Sequence, residues 1–241
     1  MNGVNSGTEY ANDEGDDKSR PNDLLPREHR AKARQFRAGF HIAGASDHLA
    51  VVALLIGLAI PSLAKAKAKA KRISCVGHLK SVGLAHRIFA MDHADLFVWE
   101  TNFHKLRDLT PGEQIVRVYQ TLSNELSTPK ILACPADTRK AAKDWNQLTT
   151  NNLSYFVGVG ASETFPQSFL SGDRNLTVDG KRLGGRVTVP VIATNLAWDG
   201  TIHQFQGSAA MGDGSVQLLS TARLREQFQN TGTTNNTFLF P

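Results

Sequence analysis

Cysteine is scarce in this sequence: Cys75 and Cys134 are the two in a chain of 241 residues. They lie far apart, form no C-x-x-C pair and have no histidine at metal-ligand spacing, so the sequence predicts no zinc site. In an exported chain the two would form one disulfide, whereas in the cytosol they would more often be buried thiols. The sequence leaves both interpretations open.

Catalytic signatures are also missing. The chain has no G-x-S-x-G segment, which would place a serine nucleophile on a sharp turn, and no glycine-rich loop that would hold a phosphate. Serine, histidine and aspartate are all present, but no nucleophile and base stand in a recognisable arrangement. We therefore expect no enzymatic activity and no catalytic residue.

Excess positive charge is confined to one short segment. The formal net charge is +5, residues 1–39 carry equal numbers of acids and bases, and the chain after Arg72 is close to neutral. The charge therefore resides in Lys65, Lys67, Lys69, Lys71 and Arg72. A nucleic-acid surface requires concentrated Lys and Arg, usually with aromatic side chains among them. We rank this segment as a helix next to lipid, then as a solvated helix face, and last as a DNA-binding helix of a cytosolic protein, so we expect no nucleic-acid partner.

An uncharged aliphatic run is the most prominent feature that is present. Residues 1–39 form a polar leader with a basic second half, which we predict to be disordered. Leu49 to Ala64 then carries no charge. Sixteen helical residues span about 24 Å, less than the ~30 Å of a bilayer core, so a signal sequence and a buried helix remain alternatives. We favour a membrane span, because the run is apolar on all sides and has basic clusters on both flanks.

The pattern after the aliphatic run predicts that the helix continues. No turn cluster interrupts the chain up to Met91, so we expect one helix from about Leu49 to Met91 with a bend at Pro61. An apolar stripe in its second half suits a protein core; it comprises Ile73, Val76, Leu79, Val82, Leu84, Ile88 and Phe89. The histidines of this half lack the i, i+4 spacing of a helical zinc site, and we expect them on the surface; they are His78, His86 and His93.

The remainder of the chain predicts a small α+β head. Short helices are expected around Glu113–Leu126 and in the segment TARLREQFQN, followed by a loose tail. Turn signals separate the extended candidates SYFVGVG, RVTVPVIATNLAW, IHQFQ and GSVQLLS. We therefore predict a leader (1–39), a long helix with a membrane-inserted first half (40–95) and a head with an antiparallel sheet (96–241).

Two motifs resemble those of type IV pilins and type II secretion pseudopilins. A basic leader, the pair Gly39-Phe40 and an apolar helix containing Pro61 resemble the prepilin signature, and LAVVALLIGLAIPSLAKAKAKAKRISCVGHLKSVGLAHRIFAMDHAD is similar to large pilin-like proteins. His203, nine residues and then Asp213-Gly214 match the H-x9-D-G motif of the same proteins. The resemblance implies a pilin-like fold, cleavage by a prepilin peptidase after Gly39 and methylation of Phe40.

The same resemblance implies a location and partners. The protein would be a single-pass component of the bacterial inner membrane with its head in the periplasm, and it would contact other pilin or pseudopilin subunits. The sequence departs from the family at Gly44, where a glutamate usually stands, and FHIAGASDH replaces FTLIELLVV. The alternative is therefore an envelope protein of the same fold that does not assemble and binds a ligand through its H-x9-D-G hairpin.

Three candidate sites accompany this hypothesis. We expect His203 and Asp213 to fix a hairpin by hydrogen bonds, with Gly214 in the turn, and a ligand role is the alternative. A disulfide between Cys75 and Cys134 would join the helix to the head after export. In SGDRNLTVDG the oxygens of Asp173, Asn175 and Asp179 suit calcium, although the spacing is not that of an EF-hand and these are also ordinary turn residues. We expect no other cofactor.

Overall fold

The computed structural model describes residues 42–101, 103–193 and 195–241. The chain divides into two units, Met1–Leu49 and Ala50–Pro241. In the first unit the described residues are helical. The predicted leader and its processing residues Gly39 and Phe40 lie outside the described residues.

One helix, α1, runs from Ile42 to Asp92 over 51 residues. The predicted single long helix is thereby confirmed, and it begins earlier than the aliphatic run indicated. Pro61 lies within it; a bend at this position stays a prediction. Ala94 and Asp95 follow the helix in the left-handed region, with φ of 57° and 59°, a conformation that commonly ends helices.

The two halves of α1 have different surroundings. In the most apolar 18-residue window of the helix, none of the residues is buried. From Cys75 onward one face turns into the head, and its buried residues recur every three or four positions: Cys75, Leu79, Val82, His86 and Phe89. This spacing puts them on one side of a 3.6-residue helix. Ile73, Leu84 and Ile88, which we placed on the apolar stripe, are instead exposed.

Short helices connect α1 to the sheet. They are α2 (Val98–Thr101), α3 (Phe103–Arg107) and α4 (Pro111–Thr121), followed by 3₁₀ turns at Pro129–Leu132, Trp145–Gln147 and Thr150–Asn152. The start of α4 is set by a capping box, in which the Thr110 side chain and the Glu113 backbone and side chain bond reciprocally. Such a box satisfies amides that the first helical turn leaves unpaired.

Nine strands and a last helix lie in the part of the chain that the structure describes. The strands are β1 (Tyr155–Gly158), β2 (Phe169–Asp173), β3 (Leu176–Val178), β4 (Lys181–Arg182), β5 (Gly185–Pro190), β6 (Leu196–Trp198), β7 (Gln206–Met211), β8 (Val216–Ser220) and β9 (Asn235–Phe240), and the helix is α5 (Thr221–Gln229). One antiparallel sheet has the order β5-β9-β1-β2-β7-β8, and a second has the order β4-β3-β6. The predicted α+β class is confirmed.

Two segments differ from the prediction. The expected loose tail contains β9, which lies between β5 and β1, and its Phe238, Leu239 and Phe240 are each 1% exposed. The segment IHQFQ, expected to be extended, forms a turn, and β7 begins at Gln206. The tail forms a strand because it pairs with distant strands and is buried, despite the polar composition around residues 230–236.

The large sheet separates two apolar clusters. Val157 of β1 and Leu239 of β9 join the cluster that contains the buried face of α1 and α4. Their strand neighbours Phe156 and Phe238 join the other cluster, with Phe228 of α5. This alternation follows the two-residue period of a strand. The sheet therefore holds the second half of α1 on one face and α5 on the other.

Candidate functional site

Four chemically reactive side chains meet in the interior of the head. They come from four segments: Cys75 from α1, Cys134 from the loop after the first 3₁₀ turn, Asp173 from the end of β2 and His203 from the turn before β7. Their exposed fractions are 0%, 2%, 0% and 8% in that order. One sulfur, nitrogen or oxygen atom of each lies within 4.8 Å of the others. We refer to these four residues as the Cys/Asp/His cluster.

The distances inside the cluster are short. Cys75 Sγ lies 3.3 Å from Asp173 Oδ1 and 3.2 Å from the Tyr155 hydroxyl. Cys134 Sγ lies 3.4 Å from His203 Nε2, and the same nitrogen lies 3.6 Å from Asp173 Oδ2. One imidazole nitrogen therefore faces a sulfur and a carboxylate together. The second of these distances is too long for a good hydrogen bond.

The segments that carry Cys134 and Asp173 are bonded to each other. Arg174 donates to both carboxylate oxygens of Asp137 at 2.8 and 2.7 Å, and the Asp137 side chain is only 1% exposed. A bidentate pair of this kind is geometrically specific. In addition, the backbone N–H of Ser208 donates to Asp173 Oδ2 at 2.6 Å. The neighbouring residues therefore hold the cluster in one arrangement.

His203 occupies an unusual turn. His203, Gln204 and Phe205 have φ of 55°, 53° and 61°, and the left-handed conformation costs about 1–2 kcal/mol for each residue that is not glycine. The Asn175 amide fixes this turn by donating to the carbonyl oxygens of Asp199, Ile202 and Gln206 at 2.9, 3.0 and 3.3 Å. Surroundings that hold a strained turn so firmly are typical of functional sites.

Arg72 contacts the same turn from α1. Its guanidinium donates to the carbonyl oxygen of His203 at 2.7 Å and also to the side chain of Gln206. Arg72, the last cation of the basic segment, therefore binds residues of the head. The lysines of that segment are exposed, as are the aliphatic residues before them.

Burial sets the proton affinities in the cluster. It raises the pKa of the Cys75 thiol, and it raises the pKa of Asp173 to about 7, with the charge of Cys134 adding to the effect. The hydrogen bond from Cys75 lowers the pKa of Cys134. Burial acts to lower the pKa of His203, but the Cys134 hydrogen bond and the Asp173 charge outweigh it and raise that pKa. Each of the four side chains therefore changes the proton affinity of its neighbours, in addition to the effect of burial.

The cluster differs from the zinc prediction and bears on the disulfide prediction. The absence of local metal spacing predicted no zinc site, yet the fold brings two cysteines, an aspartate and a histidine together. Cys75 and Cys134 are both free thiols in the structure, although their sulfur atoms lie within 4.8 Å of each other. The sequence singled out all four residues, but in three separate candidate sites: the cysteine pair, the H-x9-D-G motif with His203, and the calcium candidates with Asp173.

The H-x9-D-G residues lie apart. His203 precedes β7, whereas Asp213 and Gly214 follow it, so the motif spans the whole strand. Asp213 Oδ1 accepts a hydrogen bond from the Ser215 backbone at 2.8 Å, and Gly214 has φ of 81°. Asp213 and Gly214 therefore lie in the turn between β7 and β8, as expected, whereas His203 lies at the opposite end of β7 and does not join them there.

The calcium candidates also have separate partners. Asp173 belongs to the Cys/Asp/His cluster, and Asn175 turns its amide to the His203 turn. Asp179 accepts from Asn195 at 2.6 Å in the turn between β3 and β4. The three side chains therefore have different hydrogen-bond partners, and calcium binding stays a prediction.

His86 is the histidine whose position differs most from the prediction. Its side chain is fully buried, whereas His93 is exposed. Its ring lies among Phe97, Trp99 and Tyr119, at centroid distances of 6.2, 5.4 and 6.5 Å. Neither ring nitrogen has a hydrogen-bond partner among the residues that the structure describes. Burial lowers the pKa of His86 to about 3.

Comparison of the chain with protein-family models, with curated proteins and with solved structures finds no match.

Proposed function

We propose that this chain is a membrane-anchored, pilin-like structural protein of a type II secretion or type IV pilus-related system. The single observation that carries the proposal is α1, a continuous helix whose first half is apolar and exposed and whose second half packs in the head. The function is then mechanical: the helix anchors and packs, and the head is presented outside the membrane.

The exposed part of α1 suits a lipid environment. Its large aliphatic side chains are between 50% and 70% exposed: Leu49, Val51, Val52, Leu54, Leu55, Ile56, Leu58, Ile60 and Leu63. Complete removal of one such side chain from water contributes about 1.5–3 kcal/mol. A contiguous apolar surface of this size marks a site that lipid or another helix covers.

The length of α1 removes one difficulty of the sequence. The aliphatic run alone is short for a bilayer, but the helix begins at Ile42. From Ile42 to Ala64 it spans about 34 Å at 1.5 Å per residue, compared with the ~30 Å hydrocarbon core. This stretch includes Asp47, which would lie towards the interface at its start and not near the bilayer centre. The lysines that follow would meet anionic lipid head groups, each worth about 1 kcal/mol. The proposal places the head in the periplasm and the helix in the inner membrane.

The pilin-like part of the proposal is supported by the resemblance at Gly39-Phe40, at Pro61 and along the helix. It implies processing by a prepilin peptidase and contact with other subunits. Gly44 replaces the glutamate that pilins use when subunits assemble. This observation favours a second candidate, an envelope protein of the same fold that stays solitary. A ligand role of the H-x9-D-G hairpin in that candidate would need sites at both ends of β7.

Fractionation of cells that express the full chain tests the anchor. We expect the wild type to stay with the membrane after alkaline extraction and the double variant Leu55→Asp/Leu58→Asp to become extractable, because a charge near the bilayer centre costs about 2.5–3.5 kcal/mol. Ile73→Asp is the matched control, since this side chain is also 62% exposed but lies beyond the lysines. Wild type found in the soluble fraction would refute the anchor.

Mass spectrometry of the mature N-terminus tests the pilin-like part. A chain that begins at Phe40 supports it, and an intact leader on a membrane-bound chain contradicts it without touching the anchor. Gly44→Glu separates the two candidates: an assembling subunit should co-purify with the secretion machinery more strongly after this change, whereas a solitary protein should not respond.

A further inference from the structure

We propose that the Cys/Asp/His cluster binds one Zn²⁺ ion through Cys75, Cys134, Asp173 and His203. The ion would be structural, and it would fasten α1 to the sheet. The inference does not depend on the secretion-related function, because it rests on side chains inside the head.

Three separations between the donor groups fall in or near the range of a tetrahedral zinc site. Zinc bonds of about 2.3 Å to sulfur and about 2.0–2.2 Å to nitrogen and oxygen place neighbouring ligand atoms about 3.3–3.8 Å apart. The observed separations are 3.3 Å for Cys75 Sγ to Asp173 Oδ1, 3.4 Å for Cys134 Sγ to His203 Nε2 and 3.6 Å for His203 Nε2 to Asp173 Oδ2. Asp173 uses Oδ1 in the first of these pairs and Oδ2 in the last, so one of its two oxygens would be the ligand; one donor atom of each residue lies within 4.8 Å of the others.

The types of donor select the metal. Two sulfurs, one imidazole nitrogen and one carboxylate oxygen match borderline-soft Zn²⁺, whereas calcium and magnesium take oxygen ligands. All four ligands belong to the protein and are buried. A closed set of four leaves no position for a substrate, which is the mark of a structural site rather than a catalytic one.

The charges in the cluster call for a cation. Asp173 is completely buried, and among the described residues its carboxylate contacts Cys75, Ser208 and His203 and forms no ion pair with a lysine or arginine. A buried carboxylate is unfavourable unless it is paired or coordinates a metal. With both thiols deprotonated, a dication would leave the site with one net negative charge. The positive charge of Arg72 lies next to the site, because its guanidinium donates to the carbonyl oxygen of His203.

The surroundings hold the ligands as outer residues do in metal sites. Ser208 bonds Asp173, the Asp137–Arg174 pair links the Cys134 and Asp173 segments, and Asn175 fixes the strained turn of His203. Partners of this kind set the orientation of ligands and stabilise a metal site. The turn places the His203 imidazole next to the other ligands, and metal binding by the imidazole would then offset the strain of the turn.

A disulfide between Cys75 and Cys134 is the competing state. It would join the same helix and loop, but it would use two of the four side chains and leave the Asp173 carboxylate buried beside His203. Zinc uses all four. The two states differ in a way that can be measured, because the disulfide removes both thiols whereas zinc keeps them reduced.

Metal analysis of the full chain, purified in detergent without reductant or chelator, tests the proposal. We expect about one zinc per chain, two free thiols after denaturation with a chelator, and with Co²⁺ in place of zinc a sulfur-to-metal charge-transfer absorption. Less than about a tenth of an equivalent of zinc, together with no uptake of Co²⁺, would overturn it. Two oxidised cysteines in the exported chain would overturn it in favour of the disulfide.

Variants locate the ion. Cys134→Ser and His203→Gln should each lower the retained zinc at least 10-fold against a fixed chelator concentration, since loss of a ligand costs more than the 10–100-fold that follows loss of an outer partner. His93→Gln, which changes an exposed histidine of α1, should retain the wild-type amount. Retention of zinc by both ligand variants would place the ion elsewhere. If a variant fails to fold, the Co²⁺ spectrum of the wild type still shows whether sulfur binds the metal.

Discussion

Replacement of His86 by leucine should stabilise the protein, and more strongly in acid. The imidazole is fully buried, and its nitrogens lack hydrogen-bond partners among the described residues. An unsatisfied buried polar group costs about 1–3 kcal/mol. Leucine has a similar size and needs no partner, so His86→Leu should raise the free energy of unfolding by about 1–3 kcal/mol at pH 7.5.

The pH dependence follows from the lowered pKa. In the unfolded chain a histidine titrates near 6.5, whereas in the folded head the pKa of His86 is about 3. Between these values the unfolded chain holds a proton that the folded chain does not, so stability is lost as the pH falls. The loss is about 1.4 kcal/mol per pH unit. From pH 6.5 to 4.5 His86 should therefore cost the wild type roughly 2–3 kcal/mol that the leucine variant keeps.

Urea unfolding of the full chain in detergent, followed by tryptophan fluorescence, measures the difference. Trp99 lies next to the ring and reports on this part of the core. Other groups titrate in the same range, so the informative quantity is the gap between variant and wild type at each pH. Leu84→Ala, which changes an exposed side chain of the same helix and removes no titratable group, should show a constant gap. A gap for His86→Leu that stays constant from pH 7.5 to 4.5, or a less stable variant at pH 7.5, would refute the reasoning.

Two further predictions concern the head. Arg174→Leu should lower the free energy of unfolding by about 3 kcal/mol at neutral pH, since it removes the charged partner of the buried Asp137 carboxylate, which keeps the hydrogen bond from the Thr138 backbone. Burial acts to raise the pKa of Asp137, but its hydrogen bonds, those from Arg174 foremost, prevail and lower it. The difference in stability between variant and wild type, measured by urea unfolding, should therefore shrink as the pH falls below about 4. A difference that stays the same would count against the ion pair. Phe238→Ala should lower the free energy of unfolding by about 3–5 kcal/mol, because the Phe238 ring packs on Phe156 at a centroid distance of 5.0 Å. Phe205→Ala is the control: its side chain is 67% exposed, so this change should alter thermal stability little. Equal effects of the last two variants would show that β9 is not a central strand.

The elements that the sequence predicted well are those with a local pattern. Periodicity and the lack of turn residues predicted α1, and alternation between turn signals predicted strands near Tyr155 and Val216. β9 was missed because Thr and Asn precede it and its apolar part is short. Its position between β5 and β1 results from pairing with residues far away along the chain.

The candidate site shows the same limit more sharply. Metal spacing within one helix or loop is visible in a sequence, but Cys75, Cys134, Asp173 and His203 belong to four separate segments. Similarly, the spacing of His78, His86 and His93 does not tell which histidine faces the core. That choice depends on which side of α1 packs against α4 and the sheet.

Thus the sequence alone determined a long helix with an apolar first half and an α+β head, because both follow from the order of apolar and polar residues along the chain. Only the tertiary structure decided which face of that helix is buried, that the tail is a strand, and that four distant side chains share one buried centre. Those outcomes depend on contacts between residues far apart in the chain, and no local pattern encodes them.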